Sequence, residues 1–234
     1  MPKWKEYQEE SAAFFRSLGL EATTDEHLDG VRGGHDVDVV VRSRSVGVEQ
    51  LWVVECKRWK RRVNKVHVSA LAEIVRNVGA DRGLLLSEKG FQAGAGQVAY
   101  RSNITLTSLS ALREDSQDER LALQLGKQRV RLTLLRERLG KIGHREQRGS
   151  GFFHVSFRHS PAGRWGHLQL HAAVAIAEDG LQRAEIGRWP APYAWDFETD
   201  MPRRADDLAT FVKGIAAALD ELESELVVFE AANT

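Results

Sequence analysis

The sequence predicts an α/β first half, a mixed sheet flanked by helices, followed by a charged helical linker and a small α+β second half, so that the chain is α+β overall. Three observations carry this. Short apolar runs (Val37–Val41, Leu51–Lys57, Gly83–Ser87, Ile104–Leu109) alternate with segments of helical spacing. Between Asp115 and Arg148 the composition turns charged and leucine-rich, without proline. Beyond Gly151, period-2 alternation and turn dipeptides return. The expected boundaries are 1–114, 115–150 and 151–234.

Trp4 to Leu18 has Trp4, Tyr7, Ala12, Phe14, Phe15 and Leu18 on one face and Gly19 at its end, an amphipathic helix. Gly30, Gly33 and Gly34 mark a turn-rich approach to the strand around Asp38, and Ser43 to Glu49 reads as a polar loop before the next strand, giving an antiparallel hairpin. Val66 to Val78 is helical through Val68, Leu71, Ile74, Val75 and Val78. The run Gly83 to Ser87 is a buried strand, Gln92 to Arg101 a helix rich in small residues, and Ile104 to Leu109 a further strand.

In the linker, Leu121, Leu125, Gln128, Leu132, Leu135 and Leu139 follow a four-three spacing. It reads either as a homodimerisation helix or, favoured because the repeat is short, as a stripe packed on a flanking domain. In the last part, Phe152–His159, Gly166–Ala177 and Leu181–Trp189 read as strands, with turns at Ala162-Gly163 and Asp179-Gly180. A final helix covers Ala205–Val228. His154, His159, His167 and His171 read as surface residues, since no acidic or cysteine partner stands at a metal-ligand spacing.

No apolar run is long enough to cross a membrane and no signal peptide is expected, so the expected location is the cytoplasm. The single cysteine, Cys56, agrees with a reducing compartment. The formal net charge of zero conceals an asymmetry: 17 basic and 15 acidic residues in 1–114, 9 and 5 in 115–150, 7 and 13 in 151–234. A uniformly basic nucleic-acid binder is excluded, whereas a basic first part joined to an acidic second part is not. The last part is a candidate surface for a protein partner. Lys57 to Lys65 holds six basic residues and no acid. Taken alone this is a solvated loop; directly after a charged strand it becomes a phosphate-contacting edge, with Arg58, Lys60, Arg61, Arg62 and Lys65 as candidates.

The chemistry concentrates in two strands that carry charge where a buried strand would be apolar. Alternation puts Asp36 and Asp38 on one face of the first, and Glu55 and Lys57 on one face of the second. Ionised groups are costly to desolvate unless paired or bound to a metal, so two carboxylates and a lysine meeting on a sheet point to a divalent cation, Mg²⁺ or Mn²⁺. Such a site suits phosphodiester hydrolysis, with Asp38 and Glu55 as oxygen donors and Lys57 positioning the attacking water. The bland alternative is a salt bridge across a hairpin.

The run Gly33-Gly34-His35-Asp36-Val37-Asp38-Val39-Val40-Val41, followed by Val53-Val54-Glu55-Cys56-Lys57-Arg58, resembles the catalytic core of the Mrr-type restriction endonucleases, in the PD-(D/E)XK nuclease superfamily. The leading helix with Tyr7-Gln8-Glu9, and Gly90-Phe91-Gln92-Ala93-Gly94-Ala95 with Ala99, extend the resemblance over about residues 4–112. It implies a restriction-endonuclease-like fold and a metal-dependent DNA endonuclease that acts in defence against foreign DNA. Asp38, Glu55 and the main-chain carbonyl of Cys56 are then metal ligands, Lys57 the catalytic lysine and DNA the partner. Asp36 is the rival first ligand. Gln8 stands where the family often has glutamate, and Gln92 either faces the cleft or caps its helix. The alternative reading is an inactive nuclease-fold module that binds DNA or protein.

Overall fold

The computed structural model describes residues 2–147, 165–197 and 199–232. It divides into two compact units, Met1–Arg120 and Leu121–Thr234.

In the first unit, helix α1 (Lys3–Ser17) is followed by strands β1 (Glu21–Gly30), β2 (Gly33–Ser45) and β3 (Val48–Cys56). Then come α2 (Lys65–Val78), β4 (Arg82–Leu86), α3 (Ala93–Ala99), β5 (Ile104–Thr107) and α4 (Leu109–Asp115). The five strands lie in chain order, antiparallel through β1-β2-β3 and parallel through β3-β4-β5. Helix α2 begins where the Asn64 side chain accepts the Val66 N–H and ends at Gly79 in the left-handed conformation (φ 69°).

Two apolar layers cover the sheet. On one face Tyr7, Ala12, Phe14 and Phe15 of α1 and Leu109 of α4 pack on Val39, Val41, Val54, Leu84 and Leu86. On the other, Val68, Leu71 and Val75 of α2 and Ala95 of α3 pack on Val40, Val53, Leu85 and Ile104. Strands covered on both faces read as continuous apolar runs, which is why β3 and β4 were visible in the sequence.

Two expectations change here. Residues 21–30, of which only Gly30 was assigned, to a turn-rich approach, form β1; its inward positions are mostly only half-buried, so its polar sequence hid it. The polar segment Ser43 to Glu49 is mostly strand, with Val46 and Gly47 alone turning the hairpin at φ 48° and 84°.

The second unit is built from α5 (Gln117–Gln147), α6 (His167–Glu185), a two-stranded antiparallel hairpin of β6 (Ala191–Asp196) and β7 (Met201–Ala205), and α7 (Leu208–Ala232). Leu125, Leu132, Leu135 and Leu139 of α5 are buried with Leu170, Val174 and Leu181 of α6 and Phe211, Ile215, Leu219, Leu222 and Leu226 of α7. The expected linker helix is therefore part of the second core, and its leucine stripe packs within the chain.

The strands expected at Gly166–Ala177 and Leu181–Trp189 are corrected. Residues 167–185 are helical, because the positions that bury (Leu170, Ala173, Val174, Ala177, Leu181, Ala184) recur every three or four residues. Asp179-Gly180 is no turn: Gly180 lies inside α6, where an added Cβ would stand 1.7 Å from the Pro192 carbonyl oxygen, so only glycine admits β6 so close. Strand Phe152–His159, the Ala162-Gly163 turn, His154 and His159 lie outside the described residues. His167 and His171 sit one turn apart on α6 with their Nε2 atoms 3.2 Å apart.

Candidate active site

Asp38 stands at an irregularity in β2. The β1–β2 ladder pairs Thr24 with Val39 and Glu26 with Val37 but omits Asp25 opposite Asp38, and Asp25 adopts φ 52°. Val37 packs in the α2 layer while Val39 packs in the α1 layer, so the face alternation breaks between them. Asp36 and Asp38, on either side of Val37, meet different surroundings. Asp36 has a 91% exposed side chain and pairs with His27 Nδ1 at 2.7 Å, a bond that raises the His27 pKa. Asp38 turns inward: Oδ1 accepts from Gln8 Nε2 and Oδ2 from the Cys56 backbone N–H, both at 2.7 Å.

Gln8 is 3% exposed, on the first turns of α1, and its Oε1 is buried with no hydrogen-bond partner among the described residues. Flipping the amide would set two oxygens against each other at 2.7 Å, so the orphan is a carbonyl oxygen. A buried acceptor left unmade costs about 1–3 kcal/mol, which marks a place for a donor or cation.

Glu55 is the last residue but one of β3, and Lys57 follows the strand with its N–H donating to the Leu86 carbonyl at 2.8 Å. Lys57 Nζ donates to Glu55 Oε1, with both side chains about one-fifth exposed (18% and 21%). Burial, and next the Asp38 carboxylate, push the Glu55 pKa up; Lys57 opposes them. Two carboxylates that repel each other in a partly desolvated site, with an orphan amide oxygen at hand, fit a hard divalent cation. Among the described residues no three His, Cys, Asp or Glu side chains gather. Cys56 is buried and its thiol is pushed up to about 12, chiefly by burial, so it is no nucleophile.

The basic run is tied down at both ends, unlike a free loop. Buried Val63 pairs with Phe91, its N–H donating to the Gly90 carbonyl and its carbonyl accepting from Gln92 N–H. Arg58 lies over the Tyr7 ring (5.8 Å) and Arg61 over Trp59 (5.5 Å). Lys60 and Arg62 are exposed, as is Lys65 at the start of α2. Gln92 holds the N-cap position of α3, its side chain making no capping bond, and is exposed.

Three neighbours escaped the sequence reading. Glu88, just beyond β4, accepts from the Tyr7 hydroxyl (2.7 Å) and the Leu109 N–H (2.9 Å), and also bonds Ser110, so it fastens α1 to the start of α4. Asp25, bonded to Lys5 at 3.0 Å, breaks the ladder at Asp38. His67 meets the Trp59 ring edge-on at 4.7 Å. A polar residue ending a buried parallel strand was a readable signal for Glu88, the same one that exposed Glu55.

Sheet order, helices on both faces and charged groups at the strand ends define a restriction-endonuclease-like fold. Residues 2–114 match the family profile described as restriction endonuclease, Mrr_cat. Among solved structures, the crystal structure of a protein of unknown function, AF1548, is similar with 14% identity and a TM-score of 0.41, covering 93% of this chain and 98% of that one. The curated proteins give no significant match. No helix among the described residues is long and apolar enough to cross a membrane.

Proposed function

We propose that the first unit is a divalent-metal-dependent endodeoxyribonuclease with Asp38, Glu55 and Lys57 as its catalytic residues. The observation that carries this reading is the inward turn of Asp38 onto Gln8 and the Cys56 N–H, beside a Glu55 whose charge is disfavoured by burial and by Asp38 itself. A structural salt bridge needs only Glu55 and Lys57; it gives no reason to desolvate a second carboxylate next to them.

Asp38 and Glu55 would hold Mg²⁺ or Mn²⁺, with the orphan Gln8 oxygen and the Cys56 carbonyl as further donors. When bound, the ion neutralises the phosphate and acidifies a water. The chain supplies the rest. Gln8 and the Cys56 N–H each occupy one Asp38 oxygen and so fix the carboxylate's orientation before substrate arrives. Lys57, held near Glu55, places a positive charge where the phosphate gains negative charge and can orient the attacking water. Lys60, Arg62 and Lys65 contact phosphates on either side, with Arg58 and Arg61 held on aromatic faces. Gln92 lines the same edge. Gln8 acts as a neutral ligand where a glutamate would add charge, which predicts weaker metal affinity and not loss of the site. Defence against foreign DNA, in the cytoplasm, is the setting the family suggests. The second unit, Leu121–Thr234, which takes in the expected accessory domain from 151 onward together with most of α5, is proposed to select the target or a protein partner, or to form a homodimer.

Supercoiled plasmid incubated with the protein should be nicked or linearised with Mg²⁺ or Mn²⁺ and left intact with chelator. Lys57→Ala should lower the rate about 10²–10³-fold, and Glu55→Ala should abolish it. Cleavage that survives in folded Glu55→Ala protein sinks the site.

A further inference from the structure

We propose that Trp59 is a positioning residue of this site, its indole face holding the Lys57 ammonium in place and carrying Arg61 on the same ring. The proposal rests on the nuclease reading above.

Trp59 is an aromatic residue set in the middle of the basic run, and no phosphate contact requires one there. It is partly buried against the α2 layer, and His67 of α2 meets its ring at 78°. The indole is therefore anchored by the core. Against this fixed ring lie two cations, Lys57 Nζ and the Arg61 guanidinium, each 5.5 Å from the ring centroid. Both distances fall within the range of a cation–π attraction.

Lysine carries its charge on a flexible four-carbon stem, so a catalytic lysine needs something to define where its nitrogen sits. The Glu55 bond alone is a poor anchor, because Glu55 is itself the proposed cation ligand and its oxygens have another claim on them. The ring attracts the ammonium through its quadrupole without taking up a hydrogen-bond acceptor, so beyond the N–H given to Glu55 two donors stay free for water or phosphate. Tyr7 treats Arg58 the same way on α1, next to Gln8. Trp59 is distinct in that its two cations are the proposed catalytic lysine and a proposed phosphate contact. One side chain thus ties the chemistry to the DNA edge.

The test compares Trp59→Phe, which keeps an aromatic face, with Trp59→Met, which fills space without one. The first readout is acylation of Lys57 by an amine-reactive ester, followed by mass spectrometry on protein without metal or DNA. The second is kcat and KM for plasmid cleavage. The Met variant should raise Lys57 acylation by about two- to thirtyfold, the span a cation–π contact carries from exposed to desolvated settings. It should lower kcat by a similar factor with a smaller change in KM, while the Phe variant stays near the native protein. If the Met variant does not fold, fluorinated tryptophan at position 59 weakens the ring's attraction at nearly constant shape, and acylation should then rise with fluorine number. Acylation unchanged within twofold in these proteins, or an equal loss in the Phe and Met variants, overturns the proposal. Acylation is read without cleavage, so it holds or fails separately from the nuclease reading.

Discussion

The two units treat charge in opposite ways. In the second, the buried cluster is apolar and the charges pair at its surface: Arg131 with Asp220 (2.6 Å) and Glu223 (2.7 Å), Arg138 with Glu230 (2.8 Å), Arg136 with Glu178 (2.9 Å). In the first, Asp38 within β2, Glu55 and Lys57 at the end of β3, and Gln8 of α1 crowd together, and burial and Asp38 push the Glu55 pKa up; a buried amide oxygen without a partner among the described residues occurs in both units, at Gln8 and at Gln128. Surface pairing accounts for the charged residues just named in the second unit. It does not account for those of the first, and that excess is what points to chemistry.

The contrast breaks most sharply under substitution. Phe211→Ala, in the centre of the second core, should cost about 3–5 kcal/mol in denaturant unfolding. Glu55→Gln removes a charge and relieves its repulsion with Asp38, while Lys57 keeps a neutral amide oxygen in place of its anionic acceptor. Its stability should change by no more than about 1 kcal/mol. A large loss in Glu55→Gln would make the carboxylate a structural element.

A smaller effect separates the basic residues from one another. Lys60→Ala with Arg62→Ala should flatten the salt dependence of DNA binding by about 0.9 in log–log slope for each phosphate contact removed. An unchanged slope returns the run to a solvated surface.

The smallest effect concerns Glu88. Its bonds to Ser110, Tyr7 and the Leu109 N–H outweigh burial, the largest single influence and one that raises the pKa, and so hold its carboxyl below the usual carboxylate range. A group depressed on folding stabilises the fold above its unfolded pKa, and that contribution is lost as pH falls through the folded value. Glu88→Gln should therefore cost less than about 1 kcal/mol at neutral pH, given its exposure, and the difference from native protein should vanish in acid. Thermal melts between neutral and acid pH read this directly.

Legibility in the sequence followed burial. Strands β2, β3 and β4 were visible because both faces are covered, whereas β1 was hidden by polar inward positions such as Thr24 and Glu26. Helix α6 was misread because Leu168, Leu170, Ala172, Val174 and Ile176 alternate, but in a helix apolar nearly all round only Leu170 and Val174 of these five bury. Glu55 and Lys57 could be placed together by parity, since β3 is regular there. The choice of Asp38 over Asp36 depends on the left-handed Asp25 on a neighbouring strand, and the Gln8 contact on how α1 docks; neither has a local signal.

The central claim is that Asp38 and Glu55 share one divalent ion. Calorimetric titration of Mn²⁺ into the full chain, native and carrying Asp38→Asn or Glu55→Gln, tests it without DNA or turnover. The account predicts one binding event in the native protein that is lost in each variant while the fold is retained. Equal binding in all three proteins, or none in the native one, would contradict it.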